Sequence, residues 1–348
     1  MAENAIFSFT CLGISVTMQC PLRCRHCITR SGPEITRQMS EDEALHYIRS
    51  ARHAVDHIGF TGGEPLLDQA RLLRLIEAAK AERYVVSVMT SGHWGARPDH
   101  AKEIIGRMKA AGLDMLGVSL DRYHLDFIDV SRCCNIAEAA DEHGIPLAVR
   151  VIAEPGDDFA EQVKALLAHT KASVHSHFPV RLGRAETLAA AAFRHSMTPP
   201  ADSCETVTAL DIEPGGKVYA CCGPGPYMHG GNPLALGNAL EEDLFAIIQK
   251  ALANPFMKVI NTRGPKGLLD DLHAHGHARI VPLRAYYTDT CQLCLDICNN
   301  PQAVAVLREI YADPETQRTQ NAMQFAKMVG EFLEIRRFRQ DTGDRHAS

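Results

Sequence analysis

Residues 13–27 read Gly-Ile-Ser-Val-Thr-Met-Gln-Cys-Pro-Leu-Arg-Cys-Arg-His-Cys. The run 13–18 is largely β-branched and apolar, which predicts a strand buried on both faces, the kind found in parallel sheets. Cys20, Cys24 and Cys27 follow at C-x3-C-x2-C spacing, in the loop where such a strand ends. Reactive side chains of parallel α/β barrels gather at these C-terminal strand ends. The same rhythm continues outward. Residues 40–54 read as a helix, with Ser40 as N-cap and Glu43 completing a capping box. Further strands are expected at 57–60, 84–89, 113–120, 146–153 and 174–180, with helices at 68–82, 98–111, 128–143 and 159–169. Six βα units with right-handed crossovers predict an α/β fold, a partial (β/α)6 barrel, because the pattern stops near Gly183-Arg184.

After residue 186 the texture changes. Residues 211–221 read as a hairpin turning at Pro214-Gly215-Gly216, and helices are expected at 241–253, 301–311 and 317–338. The division is a core over 1–185 and a small hairpin-plus-helix extension over 186–348. Of the 348 residues, 46% are hydrophobic and 22% charged, which excludes a disordered chain. A net charge of −6 gives no electrostatic reason to bind nucleic acid or anionic lipid. No apolar run approaches the roughly 18–20 residues of a membrane span. Met1-Ala2-Glu3-Asn4 lacks the basic start of a signal peptide, so a cytoplasmic location is expected.

Twelve cysteines in a reducing compartment point to metal or redox chemistry rather than disulfides. Three thiolates from one tight loop suit a [4Fe–4S] cube and leave its fourth iron without a protein ligand. A zinc site is the alternative, but it needs a fourth donor, and His26 is the immediate neighbour of Cys27. Thr61-Gly62-Gly63-Glu64-Pro65 follows the second strand; the glycines permit close backbone approach to a ligand, and Glu64 suits an ammonium group. Cys204, Cys221, Cys291 and Cys294 make a second set, which fits either an auxiliary cluster or a four-cysteine zinc. Cys133-Cys134 and Cys11 read as packing thiols, and His273, His275 and His277 as a solvated loop.

These motifs resemble the radical S-adenosylmethionine (radical SAM) superfamily, whose signature is C-x3-C-x-Φ-C after the first barrel strand, with His26 at Φ. Gly62-Gly63-Glu64-Pro65 stands where relatives carry GGEP, and Ser119-Leu120-Asp121 where they carry S-x-D. Arg150 stands where relatives place a polar residue toward the cofactor carboxylate, and Ser91 replaces an Asn. Residues 179–185 resemble the P-x-G-R-A ending of the sixth strand. The resemblance implies a [4Fe–4S] cluster on Cys20, Cys24 and Cys27. It also implies bound S-adenosylmethionine contacted by Gly62, Gly63, Glu64, Ser119, Asp121 and Arg150, and cleaved to a 5′-deoxyadenosyl radical.

The extension resembles the Twitch form of the SPASM domain. That likeness implies one auxiliary [4Fe–4S] cluster on Cys204, Cys221, Cys291 and Cys294, with Cys222 and Cys298 as possible replacements. A full SPASM domain needs seven cysteines, and six follow residue 200. The implied partners are a peptide or protein substrate and a one-electron reductant such as flavodoxin or ferredoxin. A small-molecule dehydrogenase acting on an aminocyclitol or sugar is the runner-up, and a non-catalytic metal-binding protein the third reading. Were the reaction an epimerisation, Cys222 is the thiol to test as hydrogen donor. With the first strand at residue 13, no fused N-terminal leader-binding module is expected.

Overall fold

The structure, a computed structural model, describes residues 7–221, 223–229 and 231–343, with side chains through residue 333. The core alternates strands and helices: β1 (Cys11–Thr17), α1 (Glu41–Ser50), β2 (His57–Gly62), α2 (Gln69–Ala81), β3 (Val85–Thr90) and α3 (Pro98–Ala111). It continues through β4 (Met115–Ser119), α4 (Ser131–Glu142), β5 (Leu147–Ile152), α5 (Phe159–Leu166) and β6 (Ser173–His177). The strands pair in parallel in sequential order, β1 to β6, and the sheet is not closed. This is the expected partial barrel.

Local chemistry sets the boundaries. The Ser40 hydroxyl accepts from the Glu43 N–H at 3.2 Å, and the Glu43 carboxylate accepts from the Ser40 N–H at 2.7 Å. This reciprocal cap fixes where α1 starts. Asp68 caps α2, and Pro98 occupies the first turn of α3, where its missing N–H costs nothing. One face of the strands, with Ile14, Phe60, Val88 and Val118, is buried in the apolar core shared with the helices. Alternate residues on the other face (Ser15, Thr61, Met89, Ser119 and Ile152) line a cavity.

The extension does not form a separate sheet. β7 (Ala209–Ile212) pairs in parallel with β1, and β8 (Lys217–Tyr219) and β9 (Ala235–Asn238) follow antiparallel, extending one sheet to nine strands. The β7–β8 hairpin is the one expected. Helices then run α6 (Leu244–Leu252), α7 (Pro255–Ala274), α8 (Thr290–Cys298), α9 (Pro301–Ala312) and α10 (Pro314–Gly343). Three of these elements, β9, α7 and α8, are not legible in the sequence. α7 is hidden by Gly264-Pro265, where it kinks and leaves helical geometry before resuming. His273 stands in the last turn of this helix rather than in a loop. Among the described residues no helix is long and apolar enough to cross a membrane.

Candidate active site

Cys20, Cys24 and Cys27 line a cavity of about 370 Å³ at the C-terminal ends of the parallel strands. Their loop is tied down on several sides. The Cys20 N–H donates to the Gly32 carbonyl at 3.2 Å, and the Arg184 guanidinium, beyond β6, donates to the Cys24 and Ser31 carbonyls at 2.8 and 2.6 Å. The Tyr227 hydroxyl, from the extension, donates to the Ile28 carbonyl at 2.6 Å. Burial pushes the Cys20 thiol up to about 12, as do Glu64 and the neighbouring cysteines, against a lowering contact from Leu22. Such thiols ionise when a metal takes the charge. The donor set fits a cluster with one open iron. His26 also lines the cavity, but it is engaged elsewhere than as a fourth zinc ligand: its Nε2 lies 3.4 Å from Asp121, and its ring stacks on Tyr123 at 4.7 Å. Its Nδ1 is buried without a partner.

Gly62 and Gly63 also line the cavity, and the structure gives them a reason different from the expected one. A Cβ on Gly62 would stand 2.1 Å from the Thr17 carbonyl oxygen, and one on Gly63 would stand 2.1 Å from that of Gln19. The glycines let β2 end against the backbone that enters the cysteine loop, sealed by Gly63 N–H to Thr17 (2.6 Å) and Glu64 N–H to Gln19 (2.8 Å). Glu64 does not reach the cavity lining. It is fully buried and accepts from the Thr90 hydroxyl (2.7 Å), the Ser91 N–H (2.8 Å) and hydroxyl (2.5 Å), and the Leu66 N–H (3.0 Å). Burial opposes its charge, but His93 and Ser91 outweigh that and hold the carboxyl below its usual range. Ser91, which the sequence left without a role, is therefore a clamp on Glu64.

Ser119 lines the cavity, whereas Asp121 is buried beneath it. Asp121 accepts from the Tyr123 and His124 N–H groups (3.0 and 3.1 Å) and pairs with His124 Nδ1 at 2.8 Å. Burial is outweighed by His124 and His26, so this carboxyl is also held low. Burial pulls His124 down, but hydrogen bonds with Asp121 and Cys24 raise it to about 10; burial lowers His26 to about 4. Asp121 thus positions two imidazoles beside the cysteine loop. Arg150 stands in register with Ser119, but its side chain is exposed and outside the cavity lining.

The second cysteine set is assembled from separate elements. Cys204 precedes β7, Cys221 follows β8, and Cys291, Cys294 and Cys298 share one face of α8 by their i, i+3, i+7 spacing. Cys204, Cys221 and Cys294 pack against the same apolar core, which includes the fully buried Cys298. Cys294 is raised by its hydrogen bond with Cys298 and by burial, and Cys204 by burial and the nearby Cys294. Cys222 lies outside the described residues.

Two acidic lining residues escaped the sequence reading. Asp211 and Glu213, on β7 and just beyond it, face the cavity from the extension. The available signal was two acids flanking Ile212 at strand period.

The family description "Radical SAM superfamily" matches residues 14–169. The chain is 22% identical over 306 residues to "Putative peptide biosynthesis protein YydG" of Bacillus subtilis (strain 168), covering 84% of this chain and 93% of that one. It is 33% identical over 145 residues to the GTP 3′,8-cyclase of Lactiplantibacillus plantarum, 40% of this chain and 41% of that one. Among solved structures, "Native anSMEcpe with bound AdoMet and Cp18Cys peptide" shares the fold, with TM-score 0.50, 13% identity, and coverage of 86% of this chain and 99% of that one. Residues 14–169 thus match the radical SAM superfamily, whose cofactors are a [4Fe–4S] cluster and S-adenosylmethionine.

Proposed function

We propose that this chain is a peptide-modifying enzyme, which cleaves S-adenosylmethionine reductively and abstracts hydrogen from a peptide or protein. One observation carries the reading: the likeness to the peptide biosynthesis protein runs through the extension, to 93% of that protein, whereas the likeness to the cyclase spans only 41% of it. When bound, the cluster and S-adenosylmethionine supply one-electron cleavage and a hydrogen-abstracting 5′-deoxyadenosyl radical. The residues of the chain bind and orient. Cys20, Cys24 and Cys27 hold the cluster, the Gly62-Gly63 backbone and Ser119 face the cofactor, and Glu64 and Asp121 keep that wall rigid. Arg150 serves at the rim. Cys204, Cys221, Cys291 and Cys294 hold an auxiliary [4Fe–4S] cluster, with Cys298 the neighbour of Cys294. A cytoplasmic one-electron carrier such as flavodoxin or ferredoxin supplies the electron.

The test is anaerobic reconstitution with iron and sulfide, then dithionite, S-adenosylmethionine and any short peptide found encoded beside the gene. We expect 5′-deoxyadenosine and a peptide that has lost two hydrogens, or that gains deuterium in D2O if the outcome is epimerisation with Cys222 as donor. Peptides left unchanged while a sugar or cyclitol is oxidised overturn the reading.

A further inference from the structure

Four buried carboxylates belong to the cavity wall, two lining it and two behind it, and they divide into two kinds. Glu64 and Asp121 are saturated by donors and serve the fold. Asp211 and Glu213 are 5% and 4% exposed, yet the side-chain donors they meet are one neutral hydroxyl and one distant, solvent-exposed guanidinium. These are the Ser15 hydroxyl at 3.3 Å for Asp211 and the Arg37 guanidinium at 3.4 Å for Glu213. Carboxylates this deep are costly without strong partners, and a fold that retains them is completed by something that enters.

Their placement says where. Asp211 pairs in register with Gly13 of β1, while Ile212 between the two acids turns into the fully buried core. A Cβ on Gly13 would stand 3.1 Å from Asp211 Oδ1, so the glycine leaves room for the carboxylate. Both acids line the cavity that Cys20, Cys24 and Cys27 line. The one arginine in that lining, Arg184, is taken by the Cys24 and Ser31 carbonyls, and His26 and His124 are taken by Asp121. No lining cation is left for Asp211 among the described residues.

We propose that Asp211 and Glu213 form the substrate-orienting wall of the cavity, accepting hydrogen bonds from N–H donors of the bound peptide, a backbone amide or an ammonium group. They thereby set which residue lies nearest the cysteine loop. This rests on the peptide reading above. Burial, reinforced by Glu213, pushes Asp211 up to about 7, as expected of a carboxyl waiting for a donor.

The probe is the peptide that the wild-type chain modifies in that test, compared across the wild type, Asp211→Ala, Asp211→Asn and Glu213→Gln. Asp211→Ala raises KM at least tenfold, with a smaller change in kcat, and raises the 5′-deoxyadenosine released per peptide modified. Asp211→Asn restores most of the loss if the donor is a backbone amide and none if it is an ammonium, since only the latter needs the charge. Glu161→Gln, on the exposed face of α5, keeps wild-type values. Should Asp211→Ala fail to fold by circular dichroism, Gly13→Ala crowds the same carboxylate and raises KM in its place. Folded Asp211→Ala and Glu213→Gln variants with wild-type KM and wild-type coupling overturn the proposal. A wild-type chain that modifies no peptide overturns the peptide reading itself, and this assignment with it.

Discussion

The two cysteine sites are built in opposite ways. Cys20, Cys24 and Cys27 come from one eight-residue stretch, and the fold adds clamps from Gly32, Arg184 and Tyr227. The extension's set is gathered from before β7, after β8 and along α8, so no local stretch defines it. A site made by one loop survives changes elsewhere; the proposed auxiliary-cluster site, made by three elements, would also tie them together, and losing it would loosen the fold. The carboxylates repeat the contrast. Those of the core, Glu64 and Asp121, are saturated and held low, while those the extension brings, Asp211 and Glu213, are undersupplied and raised.

The largest effect that separates the two sites is expected from the Cys20, Cys24 and Cys27 triple change to Ala. It abolishes 5′-deoxyadenosine release and lowers iron from about eight to about four per chain, as two cubane clusters require. Nucleoside release by the triple variant refutes the assignment of the loop. Changing Cys291 and Cys294 to Ala also removes about four irons, but its signature differs. Product formation is lost, nucleoside release falls far less, and the melting temperature drops. Zinc in place of half the iron moves the extension site to a structural role.

Smaller effects sharpen the contrast between the carboxylates. Glu64→Gln breaks charged hydrogen bonds in a fully buried position and costs about 3 kcal/mol at neutral pH, measured by denaturant unfolding. Glu64 is held low in the folded state. Its stabilisation is therefore complete above the usual carboxylate range and fades as pH falls, so the gap to wild type narrows in acid. Asp211 has the opposite sign. Its folded value, about 7, lies above the ordinary 3.8, so the folded chain holds the proton longer and loses stability as pH rises between those values. Asp211→Asn removes that loss, and the variant gains on wild type from about pH 4 to 7, by up to about 4 kcal/mol and less where Ser15 and water relieve the charge. A gap that does not change with pH means that Asp211 is not raised.

The sequence alone determined the six strands and five helices of the core, because hydrophobic period, caps and helix-stopping glycines are local signals: Ser40 with Glu43, Pro98 and Asp68 all stand where the helices begin. The C-x3-C-x2-C loop was legible for the same reason, since its three cysteines lie within eight residues. The tertiary structure decided what depends on distant partners. It turned Gly62 and Gly63 toward the carbonyls of Thr17 and Gln19, and it spent the oxygens of Glu64 on Thr90 and Ser91. It carried α7 through Gly264-Pro265 and joined β7 to β1 across some two hundred residues of chain, which delivered Asp211 to the cavity. A carboxylate's role follows from which donors surround it, and those donors are set by packing rather than by the residues next to it in the chain.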